Sequence, residues 1–264
     1  MIRTLNEKDN SALMKLIMDE PEYNLYILGD VENFGYSNDF LELFGEFDEQ
    51  GVMGAVLVQY FGIFNLYAKG EFDVNGFANI MKNYKELKML VGKTSLVSRF
   101  EDTSLGLNRS ELHHFAVLKE IETEFNIDEK VIVKKATMED IERIVNLKSK
   151  ISEFSGGSNN FKEILMNDFK AGTAHGYYIE VEGNMVSYAQ TSAENTKSAM
   201  VVSVMTDKKC RKNGLASACL KVLCDDLINQ GKTLCLFYKN PEAGAIYRRL
   251  GFKDIGLWSM YIKN

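Results

Sequence analysis

One stretch, residues 202–217, constrains this chain more than any other: Val202-Ser203-Val204-Met205-Thr206-Asp207-Lys208-Lys209-Cys210-Arg211-Lys212-Asn213-Gly214-Leu215-Ala216-Ser217. It opens as a β-branched apolar run and breaks into a polar, basic loop. It then enters a helical pattern with Leu215, Cys219, Val222, Leu223 and Leu227 on one face. A strand, a short loop and a helix start leave the first helical N–H groups without internal partners, and such a turn suits an anion. Lys208, Lys209, Arg211 and Lys212 crowd the loop in a chain whose net charge is −6. Gly214 lets a bound group approach the backbone without meeting a Cβ. The stretch reads as a place to hold phosphates.

The rest of the composition narrows the class. The 264 residues fit one large domain or two smaller ones, at roughly 100–200 residues each. An acidic balance argues against a nucleic-acid binder, which would carry a basic footprint. The 4 cysteines form no Cys-x-x-Cys pair, and His175 is the lone histidine in their half, so no metal site is expected. Cys219 and Cys224 read as apolar fillers of one helix. The first residues lack the apolar core of a signal segment. The most apolar window, residues 52–68, is interrupted by Gln59, Gly62 and Asn65 and reads as two buried strands rather than a membrane span. These features predict a reduced, cytoplasmic protein with neither a nucleic-acid nor a membrane partner.

The two halves of the chain open alike. Residues 1–17 give a short strand, a cap at Asn6, an acid at Asp9 and an amphipathic helix; residues 131–147 give a strand, a cap at Thr137, an acid at Asp140 and a helix. The first half continues with a polar stretch over 33–39 and a hairpin of strands 41–47 and 52–60. A third strand over 63–68, a helix over 74–84 and a strand over 87–91 follow. The second half continues with a loop at Gly156-Gly157, a helix over 160–171, a hairpin of strands 177–181 and 185–191, and a strand over 199–206. The basic loop and its helix, ending at Gly231, come next. A strand over 233–237, a helix opened by Asn240-Pro241, and an aromatic strand with Phe252, Trp258 and Tyr261 close the chain. Where the second half has its basic turn, the first has only Lys69-Gly70-Glu71-Phe72-Asp73. The boundary is expected over 123–129, with His113 and His114 in a linker and all three histidines structural. The expected fold is α/β, with two domains, 1–126 and 129–264, each a mostly antiparallel mixed sheet flanked by helices.

Val204-x-Thr206 followed by Arg211-Lys212-Asn213-Gly214-Leu215-Ala216 resembles the acyl-CoA-binding motif of the GNAT superfamily of N-acetyltransferases, Gln/Arg-x-x-Gly-x-Gly/Ala. The tail from Asn240 through Tyr247 to Phe252 resembles that superfamily's second motif. Cys210 stands where the family often has an aromatic residue, and Asn213 where glycine or lysine is frequent; neither change removes a backbone N–H. The likeness covers the chain from about Val131 onward. The first half matches only in its order of elements, as a degenerate copy in a tandem arrangement would.

The resemblance implies transfer of an acyl group from coenzyme A, acetyl-CoA first of all, to a primary amine, without a metal. It places the pyrophosphate on the N–H groups of Arg211, Lys212, Asn213, Gly214, Leu215, Ala216 and Ser217, and the pantetheine arm along Val204 and Thr206. It makes Tyr247 the acid that protonates the leaving thiolate and has Asn240 contact the cofactor. Residue types alone leave alternatives open: a structural loop, an ordinary central strand, a core tyrosine, and for Asn240 a helix cap. No general base is assigned, although Glu180, Glu182 and Glu194 lie on or beside the hairpin. The acceptor is a small-molecule or peptide amine, and a homodimer is compatible. A non-catalytic acyl-CoA-binding or regulatory module, or an enzyme using a longer acyl-CoA, shares the same motif.

Overall fold

The computed structural model describes residues 1–36, 38–121, 130–154 and 160–263. The expected boundary over 123–129 and the Gly156-Gly157 loop lie outside the described residues. The chain divides into two compact units, Met1–Phe115 with Ile255–Asn264, and Ala116–Asp254.

The elements follow in chain order. They are β1 (Ile2–Thr4), α1 (Asn10–Ile17), α2 (Leu25–Phe34), β2 (Leu41–Phe47), β3 (Met53–Tyr60), β4 (Ile63–Ala68), α3 (Val74–Lys82), β5 (Met89–Lys93), α4 (Thr94–Val97) and β6 (Leu107–Leu118). Then come β7 (Lys134–Lys135), α5 (Ile141–Ser149), α6 (Phe161–Ala171), β8 (Gly176–Val181), β9 (Asn184–Ser192), β10 (Ser198–Thr206), α7 (Leu215–Asn229), β11 (Thr233–Tyr238), α8 (Pro241–Arg249) and β12 (Lys253–Lys263). The class is mixed α/β, a mixed sheet flanked by helices.

In the first unit the strands run β1-β2-β3-β4-β5-β12. The neighbours are antiparallel except β4 and β5, which are parallel. The second unit repeats this plan as β7-β8-β9-β10-β11, with only the last pair parallel. The paired openings are built as the sequence predicts. Asn6 and Thr137 each cap a short 3-10 turn, and Asp9 and Asp140 reach back to the cap N–H at 3.0 and 3.1 Å. Each acid also holds an arginine, Arg3 at 2.6 Å and Arg143 at 2.9 Å.

Alternation along β8 shows how the second unit's sheet is covered on both faces. Tyr177 and Ile179 pack with α7 residues such as Leu220, Leu223 and Leu227, whereas Tyr178 packs with Ile144 of α5 and Leu165 of α6. Cys219 and Cys224 lie buried on α7 as expected, and each buried leucine there contributes about 1.5–3 kcal/mol. The first unit's core joins Leu13 and Ile17 of α1 to Leu57, Phe64 and Phe77.

Two features depart from the sequence expectation. His113 and His114 lie on β6, not in a linker. The closing aromatic strand, expected with the second half, pairs in the first unit: Trp258 to Ile262 of β12 face Lys93 to Met89 of β5. Trp258 and Tyr261 are buried, Tyr23 donates to the Ile255 carbonyl at 2.9 Å, and Thr94 and Ser259 share a hydroxyl hydrogen bond. An apolar run fixes that a strand is buried on a sheet, but the choice of neighbouring strand rests on pairing far along the chain.

Candidate functional site

β10 is the strand that the second unit bends. Its pairing with β9 slips between Val202 and Met205, so Ser203 and Val204 form a bulge, and Ser203 takes φ +52. A non-glycine residue held there costs about 1 kcal/mol or more, and such positions cluster at functional sites. β10 pairs with β11 only over Ser198 to Met200 against Thr233 to Cys235. Beyond that point the two parallel strands run on without pairing among the described residues. Val202, Ser203 and Val204 are half-buried there.

The basic turn follows directly. Asp207 accepts from the Lys209 N–H at 3.0 Å and starts a 3-10 turn over Lys208–Cys210. Arg211 folds back, donating from Nε to the Thr206 carbonyl at 3.2 Å and pairing with Glu153 at 2.7 Å. That guanidinium draws the Glu153 carboxyl down to about 2. Asn213 donates to the Cys210 carbonyl at 3.2 Å, and Lys208, Lys209 and Lys212 are exposed. Gly214 caps α7 with φ +74, and a Cβ at this glycine would meet nothing within 4 Å. No side chain caps the helix, so the N–H groups of Leu215, Ala216 and Ser217 lack the partner a serine or aspartate would supply.

The remaining expected residues belong to the same unit. Thr206 shares a hydrogen bond with Ser187 at 2.9 Å. Val204, Cys210 and Leu215 pack against the apolar cluster that contains Tyr247 of α8. Burial pushes the Tyr247 phenol up to about 12, and its ring lies 5.8 Å from Tyr238 and 6.0 Å from Phe252. Tyr238 is fixed in turn: its hydroxyl donates to Asp254 at 2.7 Å and accepts from Arg248 at 2.6 Å. Gly244 leaves room for that ring, because a Cβ there would sit 2.4 Å from it. Asn240 is the cap of α8, its Oδ1 accepting from Glu242 N–H at 2.9 Å.

The GNAT acetyltransferase family profile matches residues 23–261. The chain belongs to the GNAT acetyltransferase family. It is thus an enzyme of the acyltransferase class. Solved structures share the fold. A GCN5-related N-acetyltransferase-like protein from Streptococcus suis is 16% identical, with a TM-score of 0.61 over 97% of this chain and 99% of that one. A Drosophila protein is 10% identical, with a TM-score of 0.69 over 99% and 98%. A tandem GNAT protein from the clavulanic acid biosynthesis pathway is 12% identical, with a TM-score of 0.57 over 99% and 97%. No curated protein matches the sequence.

Several groups of this GNAT chain were illegible in its sequence. Within the apolar run of β10, Ser203 is the sole polar hint of the bulge. On the hairpin, Glu180 is held by Lys134 and by Arg143 at 2.6 Å. Burial alone would raise the Glu194 carboxyl. Hydrogen bonds from His175, Lys232 and Thr191 outweigh that and hold it near 2. Both carboxylates are therefore occupied by cations. Burial raises the Asp168 carboxyl on α6 to about 6, and Asp168 in turn helps to push up the buried Tyr188 phenol. Among the described residues no helix is long and apolar enough to cross a membrane, and no group of three His, Cys, Asp or Glu residues is placed to hold a metal.

Proposed function

We propose that the second unit transfers an acetyl group from acetyl-CoA to a primary amine, and that the first unit is a degenerate copy of the same fold in a tandem arrangement. One conjunction carries the reading: a bulged strand parts from its parallel neighbour and leads, through an αL glycine, into a helix with no side-chain cap.

These residues fit coenzyme A. Its pyrophosphate would lie on the backbone N–H groups of Arg211, Lys212, Asn213, Gly214, Leu215, Ala216 and Ser217, over the open space at Gly214. The unpaired edge of β10 at Val204 and Thr206 would hold the pantetheine arm as an added strand, and the Asn240 amide nitrogen is left to reach it. The bound thioester supplies a carbonyl carbon already activated by a thiol leaving group.

The chain's own groups would manage the charge and the protons. A backbone N–H that the bulge releases from the β9 ladder would face the oxygen where charge develops. Tyr247, protonated at physiological pH, would give its proton to the departing sulfur as the new C–N bond replaces the C–S bond, and the proton shed by the amine nitrogen would return to the phenolate through water. A thiolate whose conjugate acid lies near 8.5 is a weaker base than a phenolate whose conjugate acid lies near 12. The transfer therefore needs a site dry enough to raise the thiol as well. Glu180 and Glu194, held by cations, take no part in it.

The test is turnover with acetyl-CoA and a panel of amines: a polyamine, an amino acid, an aminoglycoside and a peptide N-terminus, followed by release of the free thiol. Transfer to one class with amide formation supports the reading. Tight acetyl-CoA binding with no transfer to any amine would instead make this a non-catalytic acyl-CoA-binding module. The same assay with longer acyl-CoA thioesters sets the donor.

A further inference from the structure

Apart from the basic turn, the first unit has a cavity of about 450 Å³ beyond the carboxyl ends of its parallel pair, β4 and β5. Open sheets of parallel strands take ligands at such ends, and the volume suits a small molecule. The last β4–β5 pair is Leu66 with Gly92, so Tyr67, Ala68 and Lys93 continue past it and frame the opening.

The walls carry equal numbers of both charges. Lys69 pairs with Asp19 at 3.0 Å, Lys93 with Glu20 at 2.7 Å, and Arg99 with Glu71 at 2.7 Å. A free phosphate would have to displace a carboxylate from each cation it met, so this cavity is unlike the basic turn of the second unit. The three pairs also differ in rigidity. Lys93 holds both oxygens of Glu20, Tyr67 adds a hydroxyl to Glu20 at 3.2 Å, and the Lys93 ammonium lies 4.6 Å over the Tyr23 ring. That pair, with side chains 31% and 35% exposed, is the most firmly held of the three.

The outer two pairs are loose. The Arg99 guanidinium is stacked 4.4 Å over Phe72, yet it bonds Glu71 through Nη2 alone, and the Glu71 side chain is 92% exposed. The remaining donors of its planar fork are unused among the described residues, and such a fork matches a carboxylate. Asp19 likewise spends only Oδ1, on a lysine whose side chain is 64% exposed. Exposed pairs of this kind contribute at most about 1 kcal/mol, so releasing Glu71 and Lys69 to water costs little.

We propose that this cavity binds a small zwitterion with a carboxylate and a primary ammonium, an amino-acid-like molecule. Its carboxylate lies on the fork of Arg99 and its ammonium on Asp19 beside Glu20. Such a ligand replaces both loose partners and brings its own counter-charges, so the number of ion pairs is conserved while two surface side chains regain their freedom. A simple anion or cation satisfies one end and leaves the other unchanged.

Isothermal titration of the full chain with glycine, β-alanine and γ-aminobutyrate tests this, because the series lengthens the separation of the two charges. Acetate and methylammonium at matched ionic strength are the half-ligands. Saturable binding by a member of the series, with no saturable binding by either half-ligand, is the expected result. Arg99→Ala and Asp19→Asn should each weaken it by at least about tenfold, with unchanged hydrogen-exchange protection of the β5 amides as the check that the first unit folds. Asp19→Asn alters an exposed side chain, so it keeps the test valid even if Arg99→Ala fails to fold. Absence of binding across the series, binding that survives Asp19→Asn, or acetate binding as tightly as the zwitterions overturns the proposal.

Discussion

The ends of the two parallel strand pairs, β4–β5 in the first unit and β10–β11 in the second, occupy the same place in the same plan but differ in electrostatics, the first balanced in charge and the second basic. After β4 the chain takes five residues, Lys69 to Asp73, to reach α3. Asp73 caps that helix by accepting from Gly76 N–H at 2.8 Å, and its own N–H donates to the Glu46 carboxylate at 3.0 Å. An anion arriving at the start of α3 itself would face these two carboxylates. After β10 the chain takes a longer, basic path, and α7 begins at a glycine with no side-chain cap. β4 pairs with β3 without a slip, while β10 is bulged. The difference teaches that the plan of strands does not make an anion site. The helix start must also be left uncapped, which forgoes about 1 kcal/mol of capping energy that the first unit keeps.

The comparison breaks most visibly if β12 is removed. Deleting residues 255–264 strips Trp258 and Tyr261 from their place beside β5, a loss above about 5 kcal/mol that unfolds the first unit. Hydrogen exchange should show β5 amides losing protection; retained protection would contradict the assignment of this strand. In the second unit, Tyr247→Phe should lower kcat by about 10–100-fold with the acetyl-CoA KM unchanged. Steady-state kinetics reads the split, and an unaltered kcat removes Tyr247 from the chemistry.

Asp30 of α2 sharpens the contrast through pH. Burial raises its carboxyl from 3.8 to about 7. The folded state therefore holds a proton that the unfolded chain has shed. The stability this group gives is present below about pH 4 and lost as the pH rises to 7. Asp30→Asn does not titrate, so its gain over the parent should grow between pH 4 and 7 to about 4 kcal/mol. Thermal midpoints at pH 4 and pH 8 check it, and an equal difference at both contradicts it. The smallest effect is expected from Asp73→Ala: about 1 kcal/mol of stability lost with its cap and no change in acetyl-CoA affinity. A calorimetric scan paired with a binding titration measures both.

Much of this was legible in the chain. Period-2 and period-3.6 patterns place β2, β3, β4, β10 and α7 to within a residue or two, and the Asn6 and Thr137 boxes are written in their acids three residues on. The basic turn announces itself by charge and by Gly214. Other features depend on partners distant in sequence. β6 reads as polar because Asn108, Arg109 and Ser110 are exposed on it, β12 gives no sign of its partner strand, and the slip at Val202 needs β9 to exist. Asp168 and Asp30 look like ordinary surface acids until neighbouring elements bury them.

The most direct measurement is a thermal-shift titration with acetyl-CoA, coenzyme A and ATP on the parent chain, Gly214→Glu and Gly214→Asn. Asparagine tolerates the αL backbone that Gly214 adopts, whereas glutamate brings strain, bulk and a negative charge to the turn. The account predicts stabilisation by both coenzyme A species and not by ATP, about 2.7 kcal/mol at a hundredfold excess over Kd, kept in Gly214→Asn and lost in Gly214→Glu. No shift with either coenzyme A species, or a full shift in Gly214→Glu, would contradict it.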